Sequence, residues 1–309
     1  MRLNGLAAAC VLLLGLTAAG CANEKPAQAP AEVSAVNENV NDASVNSSVE
    51  PVHAEVLSTH PNLQKVTFLS ASLSKEMKFN IYLPDEYDTS KKYPVLYLIH
   101  GYGSNENMWM PDLGMEHAAS QLLSEGKINP LIIVSPQIGN SYGFNSESEG
   151  NYSDYLIKDL IPYVDEHFST ESSKKGRMIG GLSMGGWAAL YNAFQQPDLF
   201  SKVGGHSPAL WMDDWGNTGD LKQWLYPSDS IRKGRDPLML ADEVNLEGVS
   251  VYLDCGNQDS YKFYQGTKAL YKKLHSSGVT SEYHHSEGGH DGEYWKNHVR
   301  DYLLFYAGK

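Results

Sequence analysis

Cysteine is scarce in this 309-residue chain, which holds three. Cys10 and Cys21 lie near the N-terminus, so Cys255 stands alone in the remainder and no disulfide can form there. Cys255 follows the apolar run Val249 to Leu253, where a small buried side chain is expected rather than a second nucleophile. No Cys/His spacing suits a zinc site; neither a metal nor a cofactor is expected. Positive charge is also short: 24 Lys and Arg stand against 37 Asp and Glu, a net charge of −13. A nucleic-acid partner is therefore not expected, because phosphate binding needs a concentrated positive surface. Internal repeats are absent. Apolar and aromatic residues, at 41% and 11%, suffice for a real core and argue against a disordered chain.

The first 21 residues read as an export signal. Arg2 supplies a positive start, and Leu6 to Leu16 is too short for a stable membrane span. Thr17-Ala18-Ala19-Gly20-Cys21 then offers small residues at a cleavage site. The Gly20-Cys21 junction resembles the lipobox of bacterial lipoproteins, in which the cysteine is lipidated. Cys21 is thus the expected lipid site, and that lipid the only contact with a membrane, on the extracytoplasmic side. The lipobox usually has Leu where this chain has Ala18, so plain secretion with cleavage near Ala19 or Ala22 is the alternative. Residues 22–56 are rich in Ala, Asn, Ser, Val, Glu and Pro and read as a disordered tether. A catalytic domain is expected over 57–309.

Within it, Val66 to Leu73 and Lys78 to Leu83 alternate as two strands of a hairpin. Pro94 to His100 is nearly all apolar, as a strand buried on both faces should be. Met115 to Glu125 has helical spacing, Leu131 to Val134 is a buried strand, and Tyr155 to Phe168 is an amphipathic helix. Strands are expected at Arg177–Gly180, Lys202–Gly205, Val249–Leu253 and Ser281–His285. Helices are expected at Trp187–Phe194, Tyr261–His275 and Glu293–Tyr306. This alternation predicts an α/β fold: a mostly parallel sheet, helices on both faces, and an antiparallel N-terminal hairpin. Trp211 to Glu243 breaks the alternation and reads as an aromatic-rich insertion near the site, spanning about 209–245.

Gly181-Leu182-Ser183-Met184-Gly185-Gly186 carries the chemistry. A short apolar strand precedes it and a helix follows, which places Ser183 on a nucleophile elbow. The sharp turn demands small neighbours, and the hydroxyl stands at a helix N-terminus, where negative charge is favoured. Serine is a poor nucleophile without a base, and the base needs an orienting acid. In chain order the acid should follow a late strand. Asp254 and Asp259 both do; Asp259 lies past the Gly256-Asn257 turn, where a side chain can swing inward, and is preferred. The base should lie before the last helix, where Gly288-Gly289-His290-Asp291-Gly292 provides His290. His284, His285 and His298 sit in regular elements and read as packing or surface residues. The oxyanion hole needs two backbone N–H groups. Met184 gives one. The loop His100-Gly101-Tyr102-Gly103 gives the other, from Tyr102 with Gly101 as the alternative, while His100 anchors the loop. Trp109, Tyr142, Phe144, Trp211, Trp215 and Trp295 are the candidates for an aromatic substrate pocket, with Trp109, Tyr142, Trp211 and Trp295 put forward as its binding residues.

These four motifs, with Tyr294-Trp295 after the histidine, resemble the esterase D and feruloyl-esterase group of α/β-hydrolases, from about Val66 to Tyr306. That group also holds S-formylglutathione hydrolases, trilactone siderophore esterases and mycolyltransferases. The resemblance implies an α/β-hydrolase fold, a serine esterase acting through Ser183, His290 and Asp259, and no cofactor. The expected substrate is a small or polysaccharide-linked ester, such as a feruloyl or acetyl ester. Trilactone hydrolysis and acyl transfer are the alternatives in kind. A binding lipoprotein without activity would be favoured by a missing triad member, and none is missing. The S-formylglutathione branch is cytosolic, which the export signal opposes.

Overall fold

The computed structural model describes residues 54–212, 214–216 and 218–309, all within one compact unit. The expected export signal, Cys21 and tether residues 22–53 lie outside the described residues. The last three residues of the expected tether form a strand, β1 (Ala54–Val56), which pairs antiparallel with the next one.

Two long strands follow, β2 (Leu63–Ser70) and β3 (Lys75–Tyr82), as an antiparallel hairpin. Their turn falls three residues earlier than alternation alone predicts. Asp159 causes this from a distant helical stretch: its Oδ2 accepts from Ser70 Oγ at 2.5 Å and from Ser72 N at 2.8 Å. β4 (Val95–Ile99) comes next, then α1 (Met115–Ser124), β5 (Ile132–Pro136) and a small hairpin, β6 (Asn145–Ser146) and β7 (Gly150–Asn151). The expected helix over 155–168 is a helical stretch from 152 to 167: α2 (Tyr152–Asp154), a π-helical segment (Tyr155–Leu160) and α3 (Ile161–His167). Then come β8 (Arg177–Leu182), α4 (Met184–Gln195) and β9 (Lys202–His206). Three short helices follow, α5 (Leu221–Leu225), α6 (Asp229–Lys233) and α7 (Pro237–Glu243). The chain closes with β10 (Ser250–Gly256), α8 (Phe263–Ser276), β11 (Ser281–Ser286) and α9 (Gly292–Ala307).

Nine strands form one sheet in the order β1-β2-β3-β5-β4-β8-β9-β10-β11. The β1–β2, β2–β3 and β3–β5 pairings are antiparallel, and every pairing from β5 to β11 is parallel. Parallel strands need both faces covered, and β4 shows how the sequence meets that need. Val95, Tyr97 and Ile99 enter one core with α3, α4 and α8, whereas Leu96 and Leu98 enter a second core with α1 and α9. Each such aliphatic side chain contributes about 1.5–3 kcal/mol when fully buried. This is the α/β-hydrolase arrangement, with a two-faced parallel sheet behind an antiparallel edge.

The region 209–245 joins β9 to β10 and divides in two. Its later helix, α7, packs against α4 and α8 as an ordinary crossover. From its earlier part, Trp211, Thr218 and Leu221 border the cleft described next.

Candidate active site

Ser183 sits between β8 and α4 with φ +54° and ψ −118°, a conformation costly for a side chain bearing a Cβ. The surroundings over-determine it. Ser183 N donates to His206 O at 2.9 Å, and Ser183 O accepts from Trp187 N at 3.1 Å and Ala209 N at 2.9 Å. The flanking glycines are required by space. A Cβ on Gly181 would lie 2.3 Å from Gly185 O, and one on Gly185 would lie 2.2 Å from Ile99 O.

Three distant segments converge on this serine. Ser183 Oγ donates to His290 Nε2 at 2.8 Å. His290 Nδ1 donates to Asp259 Oδ2 at 2.7 Å. Because a carboxylate only accepts, Nδ1 carries the proton and Nε2 is free to accept one. Asp259 is buried, and its Oδ1 accepts from Tyr261 N at 2.8 Å. The loops bearing Asp259 and His290 are laced together, Asn257 N to Ser286 O at 2.8 Å and Gln258 N to Gly288 O at 2.9 Å.

The alternatives weighed from the sequence lie elsewhere. Asp254 is fully buried on the opposite face of β10, where Oδ1 meets His206 Nδ1 at 2.9 Å and Oδ2 accepts from Tyr302 at 3.0 Å. His284 pairs with Glu282 at 2.9 Å, His285 packs on Tyr264, and His298 Nδ1 meets Tyr294 O at 2.7 Å within α9.

The loop after β4 is anchored as its sequence suggests. His100 Nδ1 donates to Gly101 O at 2.7 Å, and Nε2 accepts from Ile138 N at 3.0 Å. Burial holds His100 below the ordinary histidine range, which suits a neutral ring with one donor and one acceptor. Gly103 N is occupied by Asn140 Oδ1 at 2.7 Å. Tyr102 N has no acceptor among the described residues, and neither does Met184 N at the first turn of α4. Gly101 runs beside Ser183, since a Cβ there would lie 3.6 Å from Ser183 Cβ.

The serine and histidine open into a cleft of ≈ 470 Å³. Tyr142, Trp211 and Trp295 line it as expected. Trp109 does not. It is fully buried, its Nε1 donates to Ile99 O at 3.0 Å, and its ring faces His206 and Tyr302. The neighbouring Met108 lines the cleft instead, because the turn over Met108–Asp112 points one side chain out and the next inward. Phe144 packs on Trp187 and Trp224, and Trp215 stacks behind Trp211 at 4.9 Å, so neither borders the cleft. Tyr261, Phe263 and Leu221 line it without having been singled out. For the first two a signal existed: both follow Asp259 within four residues, on the segment that leads from it into α8.

The family model described as "Putative esterase" matches residues 70–306. The chain belongs to this esterase family. One relative is an endo-1,4-beta-xylanase/feruloyl esterase of Xylanibacter ruminicola, 35% identical over 164 residues. That match covers 50% of this chain and 23% of the relative, so it spans under a quarter of that protein's length. An acetyl esterase of Caldicellulosiruptor saccharolyticus is 25% identical over 77% of this chain and 95% of its own. Among solved structures, a ferulic acid esterase from Anaeromyces mucronatus, bound to ferulic acid, is 26% identical with a TM-score of 0.62. It covers 84% of this chain and 91% of its own. Family and fold together place the chain in the α/β-hydrolase superfamily.

Proposed function

We propose that this esterase works through Ser183, His290 and Asp259 on feruloyl or acetyl esters of polysaccharide, outside the cytoplasm. The observation that carries the reading is the unbroken hydrogen-bond chain from the Ser183 hydroxyl through His290 to Asp259 at the mouth of an aromatic cleft. His290 Nε2 takes the hydroxyl proton as Ser183 Oγ attacks the ester carbonyl. The new oxyanion is received by the N–H groups of Met184 and Tyr102, each worth roughly 10²–10³ in rate. His290 then gives its proton to the departing alcohol. A water, deprotonated by His290, attacks the acyl-enzyme and releases the acid and the free serine. Asp259 holds the tautomer and stabilises the imidazolium that forms twice in each cycle.

The relatives support the substrate class. One is a xylanase with feruloyl esterase activity in its name, and another is an acetyl esterase. The cleft walls, with Trp211, Phe263 and Tyr261 beside the serine, suit the flat face of a phenolic acyl group. Export with lipidation at Cys21 would place the enzyme where such polymers are met.

A fluorophosphonate probe tests the chemistry. The wild-type chain should label and Ser183→Ala should not, with turnover of p-nitrophenyl acetate lowered by about 10⁶ in the variant. Normal turnover by the Ala variant sinks the mechanism. A panel of ferulate, acetate and trilactone esters, with and without acceptor alcohols, ranks the substrates. Labelling of cells with a palmitate analogue, lost in Cys21→Ala, tests the anchor.

A further inference from the structure

The carboxylate that orients His290 has a donor that the proton relay does not use. Oδ2 of Asp259 accepts from His290 Nδ1 at 2.7 Å and also from the Cys255 thiol at 3.3 Å. Cys255 lies one residue before the end of β10. Strand alternation turns Asp254 toward His206 and Tyr302 and turns Cys255 toward the triad. Cys255 is fully buried and forms no disulfide among the described residues. Burial, reinforced by the Asp259 charge, pushes the thiol up, so it stays S–H at the pH of catalysis and can only donate to the carboxylate.

We propose that Cys255 is a positioning residue of the triad: its S–H holds the Asp259 carboxylate in the orientation that meets His290 and takes a share of the charge on Oδ2. The proposal rests on the reading of Ser183, His290 and Asp259 as the working triad. Without the thiol, Oδ2 keeps one donor, and its whole charge faces the imidazole. That favours the imidazolium and raises the pH at which the base becomes available. A serine hydroxyl at the same place donates more strongly than a thiol and has the opposite effect.

The other titratable groups facing this cluster come from each element around it. They are Asp254 on β10, Tyr261 on the acid loop, Tyr283 and His285 on β11, Ser183 at the elbow and Tyr294 on α9. Burial pushes the Tyr283 hydroxyl up to about 12 and raises Tyr294 further, so both stay neutral. All of these groups are retained when Cys255 is replaced, and the two tyrosines stay neutral, so a difference between variants reads the Cys255 contact.

The test compares Cys255→Ala, Cys255→Ser and the wild-type chain on p-nitrophenyl acetate. For the Ala variant the acid limb of kcat/KM should move up by about half a pH unit, for Ser it should move down, and kcat should fall more than KM changes. Acid limbs that superimpose in folded variants overturn the proposal. A second measurement needs no turnover: the low-field proton resonance of His290 Nδ1–H in a Ser183→Ala background. It should shift on replacing Cys255 by Ala or by the near-isosteric Ser. A resonance unmoved by Ser overturns the proposal even if the Ala variant does not fold. Failure of the triad reading itself shows separately, as turnover by Ser183→Ala alone.

Discussion

Glu116 illustrates how a single side chain can set a pH response far from the reaction. It is fully buried on α1, with Oε1 against His117 Nδ1 at 2.8 Å and Oε2 without a partner. Burial, the largest cause, raises its carboxyl above the ordinary glutamate range. Ionisation is then harder in the folded chain than in the unfolded one. The resulting penalty is absent at low pH and grows as pH climbs through the carboxylate range. Glu116→Gln keeps the shape and removes the charge. We expect it to stabilise the protein by about 1 kcal/mol near neutral pH. The gain should shrink toward about pH 4, read as urea midpoints at both pH values. That Ser183, His290 and Asp259 would meet was legible from the sequence because each sits in a loop whose glycines announce it. Trp109 was not. Whether a tryptophan in the turn after β4 faces the cleft or the core depends on one side-chain direction, and composition does not record it.

At the scale of elements, the elbow is the least forgiving part of the fold. Gly185 lies where a methyl group would meet Ile99 O at 2.2 Å and His100 O at 2.5 Å, both backbone atoms that cannot swing aside. Gly185→Ala should therefore push α4 away from β4. It should cost on the order of 3 kcal/mol by urea unfolding and reduce turnover in whatever fraction still folds. A stable, fully active variant would contradict the packing described. The parallel strands were readable because burial on both faces demands unbroken apolar runs such as Val95 to Ile99. The first hairpin turn was misplaced because Asp159, some ninety residues on, supplies the bonds that close it. The five-residue helices α5 and α6 were unreadable, since so few residues hold no helical period. They are held instead by side-chain contacts, such as Arg232 Nε to Asp236 Oδ2 at 2.9 Å and Trp224 Nε1 to Ser148 Oγ at 2.9 Å.

At the scale of the whole molecule, every group assigned to the site lies between Gly101 and Trp295. A chain starting at residue 54 should keep kcat/KM on p-nitrophenyl acetate within about twofold of the full chain, because uniform binding and chemistry are both left in place. A tenfold loss would show that the preceding residues take part in the reaction. The order of strands and helices gave the fold class from sequence alone. The division of 209–245 into a crossover helix and a cleft border was hidden, because both halves are rich in large apolar residues and only α4 and α8 decide which half they cover.

That division has a further meaning. Trp211, Thr218 and Leu221 contribute surface to the cleft and none of the three groups linked as Ser183, His290 and Asp259. Ser183, Asp259 and His290 follow β8, β10 and β11, and none of them lies on the stretch from Trp211 to Leu221. It is a replaceable panel on a fixed engine, and exchanging it for a foreign segment would change which acyl groups are welcomed while the engine runs on.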